Sequence, residues 1–405
     1  MVIRKAEQKD AEGICGVQGA ASRHLCASHR QPIRQEEDGM PKLFEPAVIN
    51  AMALPNRFVR SATWEGMATE DGACTPKLTN LLVELARGGV GLIITGHAYV
   101  RQDGQAGPWQ LGIYEDELVP GLQAMTDAVH AGGGKVVMQL NHAGIFANSE
   151  LTGQAPMAPS KVEGFRGLPP REMTTKDIHE VVQAFGRSAR RAKEAGFDGV
   201  QIHSAHGYLL SQFLSPVFNH RLDKYGGTLE NRARTLLEAL QAIRERVGPR
   251  YPVLVKLNCQ DFAENGLGLD DSVQVGVMLA KGGIDAIELS GGLPISRNLG
   301  AARVGINAED KEAYFRNEAR TFKEQVRAPL ILVGGIRSYY LAERLVEEEM
   351  ADYVSMSRPL IREPALISRW RSGDLRRATC VSDNKCFRPV RAGEGVYCVN
   401  ELVRR

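Results

Sequence analysis

Two imidazoles and a phenol stand at short offsets near the middle of the chain: His203, His206 and Tyr208, directly after the apolar run Val200–Ile202. Two imidazole N–H donors can hold a carbonyl or carboxylate oxygen and stabilise charge that develops there. A phenol hydroxyl beside them can deliver a proton. The same spacing also suits a metal pair or ordinary polar loop residues, so spacing alone leaves those readings open. Position adds information. The apolar run reads as a buried parallel strand, a polar loop with glycines follows from Asn219 to Gly227, and a helical pattern begins at Thr228. Polar residues where a buried strand hands over to its loop occupy the place at which a (β/α)8 barrel keeps its chemistry.

The elements that must position them recur along the chain. Phe58–Arg60 reads as a first strand, with a helix around Lys77–Arg87 after it. Leu92–Thr95 is a second strand and Val119–Ala131 its helix; Lys135–Leu140 is a third strand. Thr174 and Thr175 open a helix with Ile178, Val181, Val182, Phe185 and Ala189 at helical spacing, and Asp177 completes a capping box with Thr174. Val200–Ile202, Val253–Leu257, Ala286–Leu289, Leu330–Val333 and Tyr353–Met356 supply strands four to eight. Eight short continuous apolar runs separated by helices suit strands buried on both faces and predict a closed α/β TIM barrel. The long stretch Asn141–Met173 carries Gly153, Pro156, Pro159, Pro169 and Pro170 and reads as a functional lid or a disordered loop.

The bulk numbers exclude more than they assign. The chain has 405 residues, 43% apolar and 24% charged, with a net charge of +2. That balance makes no electrostatic case for nucleic acid or an anionic membrane. No apolar run nears the roughly 18 residues of a membrane span, and the first residues are too polar for a signal peptide. Seven cysteines, an odd number widely spread, point to reduced thiols and a cytoplasmic protein.

The runs HSAHGYLLSQFLSP, from His203 to Pro216, and NHRLDKYGGTLENR, from Asn219 to Arg232, together resemble the hallmark segment of the Old Yellow Enzyme family of FMN-dependent ene-reductases, also called NADH:flavin oxidoreductases. The likeness extends from about Leu43 to the C-terminus. It implies a single FMN-binding barrel that takes hydride from NAD(P)H and passes it, through flavin N5, to the activated C=C bond of a small α,β-unsaturated carbonyl compound. His203 and His206 would then hold the activating oxygen, and Tyr208 would be the proton donor. No metal takes part. The same resemblance allows two other readings: an oxidative amine demethylase-like flavoenzyme, or a low-turnover FMN-binding electron carrier. The intact His203/His206/Tyr208 set favours ene reduction.

The resemblance also implies cofactor contacts. Gln139, in the run QLNHAG, matches the glutamine on the pyrimidine edge of the flavin. Ala62 and Thr63 match the contact beside N5 and O4, and Gly96 the point where the ring approaches the backbone. Lys256 stands where the family usually has arginine near N1; a lysine keeps the cation and loses the bidentate fork. Gly334 and Gly335, with Ser357 and Arg358 one strand later, would form the phosphate site, serine replacing the usual glycine at 357. Trp64 takes the position that tunes the flavin potential, and Trp109 and Tyr114 are candidates to line the cavity.

The ends of the chain depart from this pattern. Val2–Val17 is similar to the opening of an N-acetyltransferase of the GNAT superfamily, but no CoA loop follows, so residues 1–40 read as an extension without that activity. His24, Cys26 and His29 there mimic metal ligands on what reads as a flexible polar arm. The barrel is expected over residues 41–378, with a cysteine-containing tail, 379–405, packed on it. In that tail Cys380, Cys386 and Cys398 resemble the four-cysteine [4Fe–4S] segment of 2,4-dienoyl-CoA reductase and trimethylamine dehydrogenase, with Asp383 in place of one cysteine. Three thiols predict a relic rather than a working cluster. The chain looks closest to the dienoyl-CoA-reductase-like branch, cut back to its barrel, and a homo-oligomer is possible.

Overall fold

In a computed structural model, residues 40–161 and 168–402 are described; Val2–Val17, His24, Cys26 and His29 lie outside the described residues. Eight parallel strands close into a barrel: β1 (Phe58–Arg60), β2 (Leu92–Tyr99), β3 (Val136–Asn141), β4 (Gly199–Ser204), β5 (Val253–Asn258), β6 (Ala286–Ser290), β7 (Leu330–Val333) and β8 (Tyr353–Met356). Closure comes from β8 against β1, with Val354 opposite Phe58 and Met356 opposite Arg60, so each of the eight barrel strands is paired on both sides. This is the expected (β/α)8 barrel. Helices α1 (Pro76–Arg87), α2 (Val119–Ala131), α3 (Thr175–Glu194), α4 (Leu229–Val247), α5 (Leu269–Lys281), α6 (Arg316–Gln325) and α7 (Tyr339–Glu347) alternate with the strands.

Local sequence explains where these helices start. Thr75 caps α1 by accepting from the Leu78 N–H, with Pro76 at the first turn, where its missing N–H costs nothing. The Thr174–Asp177 capping box is formed, and Ile178, Val181, Val182, Phe185 and Ala189 make one buried face of α3. No helix among the described residues is long and apolar enough to cross a membrane.

Three features depart from the expectation. First, β2 runs on to Tyr99, four residues beyond Thr95, with a register shift between Ile94 and His97 where it pairs with β3. Second, a hairpin, Ala47–Ile49 with Met52–Leu54, precedes β1. Its Ile49, Met52 and Leu54 pack with Val59, Ile94, Val137, Leu254 and Ile331, which plugs the bottom of the barrel. Third, the described part of the Asn141–Met173 stretch is folded rather than structureless. It holds a short helix, Ser149–Thr152, and a strand pair, Met157–Ala158 with Arg171–Glu172. Arg221 fastens this loop by donating to the carbonyls of Pro159 and Met173, each at 2.7 Å.

Side chains alternate along each strand, so inward positions follow a period of two. Above the apolar plug, the next inward layer is polar: Ser61, Gln139, Gln201, Lys256, Glu288 and Ser355. The layer above that brings His203, Asn258 and Ser290 to the C-terminal mouth.

Candidate active site

The polar layer is one connected network centred on the fully buried Glu288 carboxylate. It accepts from Ser61 Oγ at 2.6 Å, Ser355 Oγ at 2.8 Å and Gln201 Nε2 at 2.9 Å, and pairs with Lys256 Nζ at 3.2 Å. Lys256 also donates to Ser61 Oγ at 2.8 Å. Burial pushes the Glu288 acid up, but the Lys256 charge and the surrounding donors outweigh it and hold the group below the ordinary range. Burial lowers Lys256, partly offset by Glu288. Gln139 extends the network by donating to Gln201 Oε1 at 2.7 Å.

Over this floor stand the predicted imidazoles and phenol, with a third histidine. The His203 ring lies edge-on to His206, centroids 5.2 Å apart, and to Tyr208 at 4.9 Å. His206 occupies the left-handed region, φ 61°, a conformation that costs a non-glycine residue about 1–3 kcal/mol. It is fixed there by its backbone N–H on Asn258 Oδ1 at 3.1 Å and by Nε2 against Ser290 Oγ at 2.7 Å. His203 Nδ1 is buried and has no partner among the described residues, which leaves it available to a ligand. His97, from the irregular end of β2, completes the group, its Nε2 at 3.0 Å from Tyr208 Oη.

Desolvation dominates the acid–base character of all four. It lowers His97 to about 4 and His206 to about 3, helped in both by the Lys256 charge, and drives His203 well down. The three imidazoles are therefore neutral at physiological pH. Burial likewise pushes the Tyr208 phenol up to about 12, so it keeps its proton.

A cavity of about 180 Å³ opens beside this group. Among the predicted residues, Ala62, Thr63, His206, Lys256, Gly335, Ser357 and Arg358 line it. Thr63 Oγ1 and Ser357 Oγ meet at 2.6 Å, joining the ends of β1 and β8. At Gly335, φ 72°, an added Cβ would lie 2.8 Å from Tyr314, so only glycine serves there. Gly334 stands back from the cavity, its carbonyl holding the Tyr314 N–H. At Gly96 a Cβ would meet Glu65 Oε2 at 2.1 Å. That carboxylate accepts the Gly96 N–H at 2.8 Å and pairs with the buried Arg60 at 2.9 Å. Trp64 lines the cavity and also packs on the tail cluster of Cys386, Val390 and Val396. Trp109 instead lies against Gly393, and Tyr114 stacks on Tyr99.

The donor set suits FMN. The cavity lining presents two guanidinium groups, Arg337 and Arg358, with the Ser357 hydroxyl, which fits a dianionic phosphate. Arg337 Nε is buried and has no partner among the described residues. The lining also presents the Lys256 ammonium, which suits a ring that gains negative charge on reduction. Tail residues Ser382 and Phe387 form one wall, and Asn384 Oδ1 accepts from Arg358 Nη1 at 2.7 Å. Cys380, Cys386 and Cys398, with Asp383, surround a separate small cavity behind Arg358. Burial, reinforced by Cys380, pushes the Cys386 thiol up to about 11, and Cys398 Sγ accepts from Arg362 at 3.1 Å. Three thiols so arranged do not fit a four-cysteine cluster.

His97, Glu288, Gln201, Ser290 and the cavity-lining Arg337 escaped the sequence reading. His97, Gln201, Glu288 and Ser290 are polar residues inside or ending an otherwise apolar strand; the period of two from His203 would have found Gln201, whereas Glu288 and Ser290 lie on β6 and are brought opposite Lys256 and Asn258 only by the strand register.

Comparison with known proteins agrees with this geometry. The model of the NADH:flavin oxidoreductase / NADH oxidase family matches residues 42–375. An NADH oxidase of Thermoanaerobacter brockii is 36% identical over 88% of this chain, which spans 57% of that protein. A 4,4'-dithiodibutanoate disulfide reductase of Rhodococcus erythropolis is 32% identical over 90% of this chain and 97% of its own length. Among solved structures, a 2-naphthoyl-CoA reductase in complex with 2-naphthoyl-CoA superposes with a TM-score of 0.82 and 29% identity, over 88% of this chain and 56% of that one. Morphinone reductase in complex with tetrahydroNAD gives 0.69 and 28%, over 83% and 92%. The chain belongs to the NADH:flavin oxidoreductase / NADH oxidase family, FMN-dependent oxidoreductases that draw their electrons from NAD(P)H.

Proposed function

We propose that this chain is an ene-reductase, which adds hydrogen across the activated C=C bond of a small α,β-unsaturated carbonyl compound. The observation that carries the reading is the convergence of neutral His203 and His206 with a protonated Tyr208 at the mouth of the barrel, beside the cavity that suits FMN. When bound, FMN supplies the hydride that NAD(P)H has delivered to it.

The chain's own residues supply the rest. The partnerless Nδ1 of His203 and the ring of His206 would hydrogen-bond the carbonyl oxygen. Neutral imidazoles suit this task, because they stabilise a developing enolate without surrendering a proton in the ground state. Tyr208, on the same turn, would hand its proton to the α-carbon. Arg358, Arg337 and Ser357 would hold the phosphate, with Ala62, Thr63 and Lys256 toward the ring. Gln139 would reach it from the β3 side of the floor.

The test is a pair of half-reactions on the FMN-loaded protein. Reduction by NADH or NADPH should be unchanged in Tyr208→Phe. Reoxidation by 2-cyclohexen-1-one should slow by about 100-fold, the usual worth of a positioned general acid. Reoxidation at the wild-type rate would remove Tyr208 from the role, and failure of the protein to retain FMN would overturn the whole assignment.

A further inference from the structure

We infer that His97 is the positioning residue for Tyr208: it holds the phenol proton toward the substrate and resupplies that proton after each turnover. The inference rests on the reading of Tyr208 as proton donor.

The geometry begins with the backbone. Ile94 of β2 is opposite Val137 of β3, but the next paired residue is His97, opposite Gln139. Three steps on one strand are matched by two on the other, as in a β-bulge, a device that re-aims a side chain. Without the extra residue, Gly96 would face inward and His97 would point into the helical layer. With it, the imidazole faces the site, its ring 5.1 Å from Tyr208 and 6.2 Å from His203. Gln110 Nε2 pins the irregular segment by donating to the His97 carbonyl at 3.0 Å.

Among the described residues, Tyr208 Oη has His97 Nε2 as its hydrogen-bond partner, at 3.0 Å. A phenol has a single proton. If Tyr208 donated it to His97, none would point at the substrate, whereas a proton on Nε2 leaves the phenol free to donate. A substrate carbon lying over the ring covers the open side of Tyr208. His97 keeps 8% of its surface exposed, through which its imidazole can exchange protons with water.

The proton balance is simple. The O–H bond of Tyr208 breaks as its proton passes to the substrate α-carbon. The Nε2–H bond of His97 breaks as that proton passes to the phenolate oxygen, and Nδ1 takes a proton from water. Exchange with water returns the imidazole to its Nε2–H form. Hydride originates in NAD(P)H, which is oxidised, and the proton originates in solvent; the alkene gains both.

Two measurements on the full chain test this. In the FMN-loaded His97→Gln variant, whose amide can still hold the phenol proton toward the substrate, the first turnover with 2-cyclohexen-1-one should outrun the later ones, because Tyr208 starts protonated; His97→Ala, which loses the donor as well, should slow the first turnover too. Later turnovers of the glutamine variant should slow by about 100-fold, which appears as a burst of one product per enzyme. Glutamine fills the space and can donate, yet cannot relay, so it separates the two roles and decides the case if the alanine variant does not fold. In the ¹⁵N spectrum of the wild-type imidazoles, before substrate is added, His97 should carry its proton on Nε2. A glutamine variant without a burst, at the wild-type steady rate, overturns the inference, as does an Nδ1–H tautomer. If Tyr208→Phe is also fully active, the donor reading falls with it; if Tyr208→Phe is slow while both His97 variants are normal, only the relay falls.

Discussion

At the scale of single residues, the polar floor turns on the buried charge pair of Lys256 and Glu288. A buried ammonium is expensive, and its counter-charge is Glu288, itself fully buried and saturated by Ser61, Ser355 and Gln201. Removing one partner of such a pair leaves the other charge uncompensated, at a cost of about 3–5 kcal/mol. Glu288→Gln should therefore lower the stability of the protein by about 3 kcal/mol in urea unfolding. The double variant Lys256→Met/Glu288→Gln should recover more than about 1 kcal/mol of that, the coupling expected of residues in direct contact. Additive losses would mean that Ser61 and Ser355, not Lys256, hold the carboxylate. The choice of lysine over arginine also belongs here. A single Nζ reaches both Ser61 and Glu288, and a planar fork in the same place would have to displace one of them.

At the scale of elements, the tail after β8 turns out to be part of the candidate cofactor site. Ser382 O accepts from the Gly305 N–H at 3.1 Å, and Asn384 Nδ2 donates to the Ala302 carbonyl at 2.8 Å while its Oδ1 holds Arg358. The segment thus ties the β6–α6 loop to the guanidinium proposed for the phosphate. Asn384→Ala should weaken FMN binding about 10-fold, the equivalent of roughly 1.4 kcal/mol for a hydrogen bond to a charged group. Titration of the deflavinated protein by flavin fluorescence reads this directly, and an unchanged Kd would release the tail from that role. How much of this was legible depends on the kind of signal each element carries. Strands β7 and β8 were delimited to the residue, because Leu330–Val333 and Tyr353–Met356 are purely apolar or nearly so between polar flanks. The end of β2 was lost because Gly96 and His97 interrupt its apolar run, and a bulge has no signature in composition. The contacts of the tail, 301–306 with 378–384, join segments far apart in sequence, and no local pattern announces them. The hallmark run also divided in an unexpected way. His203, His206 and Tyr208 carry candidate chemistry, whereas Asn219 and Arg221 bond backbone carbonyls and build the loop.

At the scale of the whole molecule, the barrel separates stability from chemistry along its axis. The bottom is closed by the hairpin, whose Ile49 is completely buried among inward residues of β1, β2, β3, β5 and β7. The top holds the polar layers, with their strained His206 backbone, partnerless His203 nitrogen and buried charges, features that cost stability and persist where function requires them. The apolar plug must offset them, because the net stability of a folded domain is only about 5–15 kcal/mol. Ile49→Ala removes three buried carbons from a close-packed layer at the end of the barrel opposite the site. It should cost about 2–5 kcal/mol in urea unfolding. Because the polar layer lies between the plug and the imidazoles, kcat and KM for enone reduction should stay within about two-fold of wild type at temperatures where the variant is folded, as expected for the stability face of such barrels. A large loss of activity in a folded Ile49→Ala protein would mean that the floor centred on Glu288 transmits the packing of the plug to Lys256. The division between the two ends of the barrel would then have to be abandoned.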